Sequence, residues 1–197
     1  MARYPGPDSL TLNVGGTLYG STENGGIVEL GTVFALNPAT GAETVVYSFK
    51  HSGGDGATPR GNLIDVGGTL YCTTEGGGTN NQGTIFSFDP TANTEAILHA
   101  FNMTDGASPW AGLINIGRQL YGTNPSGGRH GDGTVFSMNA VTGATATLHA
   151  FSASDGAYSV ANLLSCAGNL YGTANQGGNS SSEGGTSNNG TVFTYPP

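Results

Sequence analysis

The five residues Gly16-Thr17-Leu18-Tyr19-Gly20 return three more times along this chain of 197 residues. The later copies are Gly68–Cys72, Arg118–Gly122 and Gly168–Gly172, and successive central leucines are 52, 50 and 50 residues apart. A second phrase follows each copy, at Gly31–Phe34, Gly83–Phe86, Gly133–Phe136 and Gly190–Phe193. A period near 50 residues indicates an array of similar supersecondary units.

Each repeat contains short apolar segments separated by Gly, Asn, Asp and Pro. In the third repeat the predicted strands are Ala111–Ile116, Gln119–Thr123, Gly133–Met138 and Thr145–Phe151. Such segments are typical of consecutive antiparallel hairpins, and four strands per repeat predict a blade of a β-propeller. The sequence therefore predicts an all-β fold, with the first strand of each blade lining a central channel. We expect one domain over residues 1–197, with repeats at about 7–52, 53–103, 104–153 and 154–197.

The last repeat is shorter than the others. It stops after Thr191–Tyr195 and has no counterpart of Leu148–Phe151, so we expect its blade to have three strands. Two arrangements follow: a closed ring of four blades, or half of a larger ring that a second copy or further sequence completes. An open edge strand favours association in the second case.

Composition narrows the function. The net charge is −8 with only five Lys and Arg, which speaks against nucleic acid as a partner. No segment approaches the ~18 apolar residues of a membrane-spanning helix. The first residues lack the apolar core of a signal peptide, so the sequence does not assign the protein to a cellular compartment. We predict no cofactor, and we expect Cys72 and Cys166 to be two buried, unpaired thiols.

Positions that differ between otherwise matching repeats are the best candidates for a binding surface. The residue after a shared proline position is Asp8, Arg60, Trp110 or Val160, and the residue two positions earlier is Gly6, Thr58, Ser108 or Tyr158. Both positions lie in the segment that leads into the first strand. We predict a ligand surface made by Asp8, Arg60, Trp110 and Tyr158, because an aromatic face stacks on a sugar ring while polar groups hold its hydroxyls. The alternative is that Trp110 packs between adjacent blades.

A second set of equivalent positions is polar in every repeat. It consists of Asn13, Asp65, Asn115 and Ser165, in the predicted channel strands. These side chains would meet at one mouth of the channel, where they bind water or a cation or, in the simpler interpretation, end a strand and solvate the opening. The Asp-Gly steps at 55, 105 and 155 are interpreted as turns rather than calcium ligands. We predict no metal site and no catalytic residue.

The combined pattern Asp-Gly-Ala-x-Pro, Leu-Tyr-Gly-Thr, Gly-Thr-Val-Phe and Leu-His-Ala-Phe resembles the GloVer tandem repeat of bacterial proteins, from about Pro7 to Phe193. The resemblance implies a propeller-like domain that is secreted or displayed on the cell surface. It brings no catalytic residues that could be transferred to this chain.

Three functions remain open at this point. The leading hypothesis is a non-enzymatic binding or scaffolding propeller that recognises a glycan or a protein through one axial face. The second is a structural protein that self-assembles, for example as a homodimer. The third is a carbohydrate-active enzyme, for which Asp8 and Asp65 are the only carboxylate pair expected near the axis.

Overall fold

The computed structural model describes residues 3–5, 12–178 and 189–197, with side chains from residue 14 onward. It divides into two compact units, an N-terminal unit (residues 1–101) and a C-terminal unit (residues 102–197). Each unit contains two antiparallel sheets, and the described residues form no helix. The all-β fold with one sheet per repeat, predicted from the sequence, is confirmed.

The N-terminal unit holds the first and second sheets. The strands of the first sheet are β1 (Arg3–Pro5), β2 (Leu12–Val14), β3 (Thr17–Asn24), β4 (Thr32–Leu36) and β5 (Glu43–Ser48). The strands of the second sheet are β6 (Gly56–Pro59), β7 (Ile64–Val66), β8 (Thr69–Gly77), β9 (Thr84–Asp89) and β10 (Thr94–Ala100).

The C-terminal unit holds the third and fourth sheets. The strands of the third sheet are β11 (Ile114–Ile116), β12 (Gln119–Asn124), β13 (Thr134–Asn139) and β14 (Thr145–Ala150). The strands of the fourth sheet are β15 (Leu164–Cys166), β16 (Asn169–Ala174) and β17 (Thr191–Tyr195). The fourth sheet thus has three strands, as the shortened last repeat predicts.

The strand that was predicted to begin each repeat is shorter in the structure than in the prediction. Only three residues form β2, β7, β11 and β15, and each of these strands pairs with one end of the strand that follows it. The other end of the following strand pairs with β1 in the first sheet and β6 in the second. Single bridges, Ala107 to Ser126 and Ala157 to Gln176, take this position in the third and fourth sheets. The connecting segment before each short strand is therefore held to the edge of its own sheet.

A close approach between neighbouring strands explains why the two repeated phrases occur together. Gly122 pairs with Phe136 across β12 and β13, and a Cβ atom on Gly122 would lie 2.5 Å from the Phe136 ring. The same crowding occurs between Gly20 and Phe34 and between Gly172 and Phe193. The glycine of the first phrase therefore makes room for the phenylalanine of the second.

The second repeat departs from this pattern at Cys72. This residue stands opposite Phe86, is fully buried, and its thiol donates to the Gly61 carbonyl 2.9 Å away. Burial raises the pKa of the Cys72 thiol to about 12. Both cysteines are free, but Cys166 is exposed, so the expectation of two buried thiols is wrong for Cys166. Its strand, β15, has all three residues exposed.

The core of each unit lies between its two sheets. In the N-terminal unit Tyr19 and Val33 of the first sheet pack with Leu70, Phe86 and Phe88 of the second. In the C-terminal unit the equivalent Tyr121 and Val135 of the third sheet pack with two leucines. Leu163 directly precedes the fourth sheet, and Leu170 lies on its strand β16. The leucine and tyrosine of the first phrase point to opposite faces, so one repeat supplies both sides of a sheet-to-sheet contact.

Candidate functional site

The aromatic pair predicted for the ligand surface forms in the C-terminal unit. The rings of Trp110 and Tyr158 meet edge to face, with centroids 5.7 Å apart and an interplanar angle of 80°. Both side chains are half-buried, so each keeps some surface toward solvent. Trp110 leads into the third sheet and Tyr158 into the fourth. The pair thus joins two connecting segments.

The backbone of the connecting segment explains how Tyr158 is presented. Tyr158 has a φ of 60°, and the equivalent Thr58 and Ser108 have φ values of 57° and 53°. The Tyr158 amide donates to the Asp132 carbonyl at 3.1 Å, and the Thr58 amide donates to the Leu30 carbonyl at 2.8 Å. In both units this left-handed residue is therefore tied by its main chain to the preceding sheet's glycine-rich loop.

Arg60 takes part in ion pairs inside the N-terminal unit. Its guanidinium contacts the carboxylate of Glu75 on β8 and lies 3.3 Å from Oε1 of Glu23 on β3. The Arg60 side chain is partly exposed, yet its charge is matched by two carboxylates from two sheets. A ligand that used Arg60 would have to compete with these carboxylates, so Arg60 is a weaker ligand residue than Trp110.

Two of the four residues predicted to form the ligand surface lie next to each other in the structure. Asp8 lies outside the described residues. Arg60 belongs to the N-terminal unit, whereas Trp110 and Tyr158 belong to the C-terminal unit. The structure therefore brings Trp110 and Tyr158 together, and a common surface for all four residues stays a prediction.

Two of the polar residues predicted to line the channel accept hydrogen bonds from the backbone of the adjoining turns. Asp65 Oδ1 accepts the Gly68 amide at 2.7 Å, and Asn115 Oδ1 accepts the Arg118 amide at 2.9 Å. Asp65, Asn115 and Ser165 are exposed, and the side chain of Asn13 lies outside the described residues. These contacts are those of turn residues, and a shared water or cation site stays a prediction.

The three Asp-Gly steps also close turns. The carboxylates of Asp55, Asp105 and Asp155 accept the backbone amides of Lys50, Asn102 and Ser152 at 2.7 to 2.9 Å. Asp155 also lies 3.1 Å from Nε2 of His149 in the C-terminal unit. Within the described residues no group of three or more His, Cys, Asp and Glu side chains is arranged to hold a metal ion.

A groove in the N-terminal unit was not predicted. It has a volume of about 560 Å³, and its lining includes Tyr47 of β5, Lys50 and Asp55 of the following loop, and Glu95 and Ile97 of β10. The Tyr47 hydroxyl lies close enough to the carboxyl groups of Asp55 and Glu95 for both to act on its pKa. Burial and the nearby charge of Asp55 raise the pKa of Glu95 to about 7, and burial raises the pKa of Tyr47.

The contacts of Asp55, Tyr47 and Glu95 limit which of these side chains can donate a proton to another. The two Asp55 oxygens already accept the amides of Lys50 and Gly56. A phenol has one proton, so Tyr47 can donate to only one of the two carboxylates. The interaction with Tyr47 lowers the pKa of Glu95, but burial and the charge of Asp55 outweigh it. One sequence signal was available: Tyr47 stands where the second and third repeats have His99 and His149.

Comparison with known proteins gives the class of protein to which this fold belongs. The fold is that of a β-propeller-like repeat protein, and the similar solved structures are β-propellers. A chain in the crystal structure of a nidogen/laminin complex is 19% identical with a TM-score of 0.55; the match covers 81% of this chain and 52% of that one. TolB from Acinetobacter baumannii is 15% identical with a TM-score of 0.55, covering 92% and 38%. At these identities the likeness shows the fold alone, and the chain spans about half or less of each matched protein.

The family follows from the repeat itself. The model of the Gloeobacter/Verrucomicrobia repeat matches residues 6–197, so the chain belongs to this family, as its repeated phrases suggest. No curated protein matches the chain. The GH43 protein BlXynB from Bacillus licheniformis, in a mutant form, is 13% identical over 98% of this chain and 39% of that one. Its TM-score of 0.47 is too low to support a statement about activity. Among the described residues no helix is long and apolar enough to cross a membrane.

Proposed function

We propose that this protein is a non-enzymatic binding or scaffolding domain that holds its ligand on the connecting segments of its sheets. One observation carries the proposal: Trp110 and Tyr158 form a half-buried aromatic pair that joins two connecting segments. The tie between the Tyr158 amide and Asp132 fixes the backbone beneath the pair. A rigid aromatic corner with partly accessible rings suits a sugar ring or an apolar protein side chain, and we favour a glycan.

The catalytic alternative has little support in the described residues. A glycosidase needs two carboxyl groups about 5–10 Å apart across the scissile bond. Asp65 is engaged with the turn amide of Gly68, and Asp8 lies outside the described residues. The propeller-like repeat fold fits a binding or scaffolding role.

The only tryptophan of the chain provides the test. Addition of a binding oligosaccharide should change Trp110 fluorescence, and a panel of bacterial and plant oligosaccharides would be titrated this way. Trp110→Val and Tyr158→Ser borrow the residues of equivalent repeats, Val160 and Ser108, so both should fold. Tyr158→Ser can be titrated by fluorescence and both variants by calorimetry, and we expect each to bind at least about tenfold more weakly.

The matched control is Tyr171→Ser, which removes a partly exposed tyrosine of the same unit outside the connecting segments. It should bind as the wild type does. Equal binding by Trp110→Val would place the ligand elsewhere. If no oligosaccharide binds at millimolar concentration, the glycan form of the proposal is wrong and a protein ligand becomes the next candidate.

Self-association is a second candidate function, and one observation favours it. Leu164 and Val192 of the fourth sheet are largely exposed, although they belong to the same pattern that forms the sheet-to-sheet contacts of both units. A scaffold that associates would bury them.

A further inference from the structure

We propose that the fourth sheet docks, through the face that carries Leu164, Tyr171 and Val192, against the first sheet of a second copy of this chain. This inference rests on self-association, the second candidate function, and it identifies the two surfaces and the partner. The face is defined by strand pairing: Leu164 stands opposite Tyr171, and Val192 stands opposite Thr173.

The equivalent faces of the other three sheets are covered. Val33, Ile85 and Val135 occupy the position of Val192 and are 0% exposed, whereas Val192 is 78% exposed. Thr73 and Thr123, equivalent to Thr173, are fully buried, whereas Thr173 is exposed. The fourth sheet therefore presents to solvent a surface that its repeat buries elsewhere. Its β16 and β17 residues are all uncharged, so covering it would desolvate no charge.

The covered faces show what kind of surface fits. In the N-terminal unit, Tyr19 and Val33 pack against Leu70, Phe86 and Phe88 of the second sheet. In the C-terminal unit, Tyr121 and Val135 pack against Leu170 of the fourth sheet. The natural occupant is therefore the opposite face of another sheet of this repeat, which carries the leucine of the first phrase and the phenylalanine of the second.

The first sheet of the same chain offers this opposite face. Its members are Leu18, Phe34 and Leu36, and the first and third are paired across β3 and β4. All three are only half-buried, whereas the equivalent Leu70, Phe86 and Phe88 of the second sheet are 0% exposed. Each chain thus carries two complementary faces, one on the fourth sheet and one on the first, and neither is fully buried. Two such faces on one chain allow identical copies to associate head to tail.

The test measures the mass of the full chain by light scattering from micromolar to millimolar concentration. We expect a species of about twice the chain mass of 19.8 kDa. Val192→Glu places a charge on the docking face and should raise the dissociation constant at least about tenfold. The matched control is Val141→Glu, because Val141 lies in a turn of the same unit and is 68% exposed, yet belongs to no sheet face. It should leave the mass unchanged.

Leu36→Lys tests the other half of the contact. In a head-to-tail association it should also weaken dimerisation, and a mixture of Val192→Glu with Leu36→Lys should recover a dimer through the one intact contact. Circular dichroism would check that Leu36→Lys stays folded. If a folded Leu36→Lys keeps the wild-type mass, the first sheet is not the partner surface and the proposal is overturned.

The exposed thiol gives a second measurement that needs no substitution. Leu164 and Cys166 point to the same face of β15, whereas Cys72 is fully buried with a raised pKa and should not react. Maleimide should therefore label Cys166, and labelling should slow at concentrations where the dimer forms. A wild type that remains monomeric throughout overturns both the docking surface and self-association, whereas a dimer that Val192→Glu leaves intact overturns the surface alone.

Discussion

At the scale of single residues, the grouping of Tyr47, Asp55 and Glu95 in one groove is the least expected feature of the chain. Tyr47 lies near both Asp55 and Glu95, and the two Asp55 oxygens accept the backbone amides of Lys50 and Gly56. Glu95 Oε1 is buried and has no hydrogen-bond partner among the described residues. Lys50 also lines the groove. A neutral Glu95 avoids an uncompensated buried charge next to Asp55.

Replacement of this carboxyl by an amide should change how stability depends on pH. The pKa of Glu95 is raised to about 7 in the folded chain, so the folded state holds a proton that the unfolded state releases near pH 4.5. Wild-type stability should therefore fall as the pH rises from about 4.5 through 7. Glu95→Gln, which can still donate to Tyr47, should be more stable than the wild type at pH 8 by about 1 kcal/mol, after allowance for partial exposure.

Urea unfolding at pH 5 and pH 8 would measure this difference. The control is Glu43→Gln, because Glu43 is the equivalent residue of the first repeat and is exposed on β5. It should unfold with the pH dependence of the wild type. A Glu95→Gln variant that loses stability equally at both pH values would show that the amide fits the groove poorly and that no proton is linked to folding there.

Residue positions were predicted from the sequence where repeats could be compared. The contrast between Trp110, Tyr158 and their counterparts pointed to the connecting segments, and two of these side chains do meet. The groove of Tyr47, Asp55 and Glu95 was missed, because Tyr47 and Glu95 are 48 residues apart and nothing in either strand shows that they face each other.

At the scale of strands, the crowding of glycine against phenylalanine limits which side chains the pattern accepts. Gly122→Ala would place a Cβ atom 2.5 Å from the Phe136 ring and 3.0 Å from Leu113. Because Phe136 and Leu113 are buried, neither can move away freely. We expect the substitution to lower the free energy of unfolding by about 1–3 kcal/mol, as overpacking does.

Gly76→Ala is the comparison for this prediction. Gly76 is also a strand glycine, but its Cβ would lie 3.6 Å from the nearest atom, Oδ1 of Asn81, which is an ordinary contact. It should change stability by less than about 0.5 kcal/mol. Thermal or urea unfolding of both variants would measure the difference. Equal effects in the two variants would mean that the phenylalanine ring rotates away at little cost.

The strands that were predicted well are those that contain the two repeated phrases. The predicted Gln119–Thr123 and Gly133–Met138 differ by one residue at their ends from β12 and β13. The segment Gly56–Pro59 was not predicted as a strand, because glycine and proline are poor strand formers. Pairing of this segment with the end of β8 holds it in place, and this depends on tertiary contacts that no short pattern records.

At the scale of the whole molecule, the charge of −8 acts on association. Two copies repel each other at long range, while the proposed docking face itself is uncharged. Added salt screens the repulsion and leaves the apolar contact in place. We expect the dimer dissociation constant to fall several-fold between low and physiological ionic strength.

Sedimentation at a series of sodium chloride concentrations would measure this effect. Val141→Glu adds one further negative charge away from the docking face, so it should steepen the dependence on salt without removing the dimer. A dissociation constant that rises with salt would mean that ion pairs hold the copies together, in conflict with an apolar docking face.

The architecture could be predicted at this scale because a period of 50 residues indicates one sheet per repeat. The exposure of the fourth sheet could not be predicted. Val192 occupies the same place in its phrase as Val33 and Val135, and the sequence around it is nearly the same. Whether such a residue is buried depends on the neighbour that covers it, which a repeat does not specify by itself.

The attachment of the connecting segments through their main chain has a consequence for how such proteins diversify. The Thr58 and Tyr158 amides reach the carbonyls of Leu30 and Asp132, so the side chain at this position of each segment has no part in these two hydrogen bonds. Mutation at that position is therefore nearly free of cost to the framework, and gene duplication multiplies the positions at which it can occur. A set of such repeats can acquire new recognition properties one segment at a time while the framework is inherited unchanged.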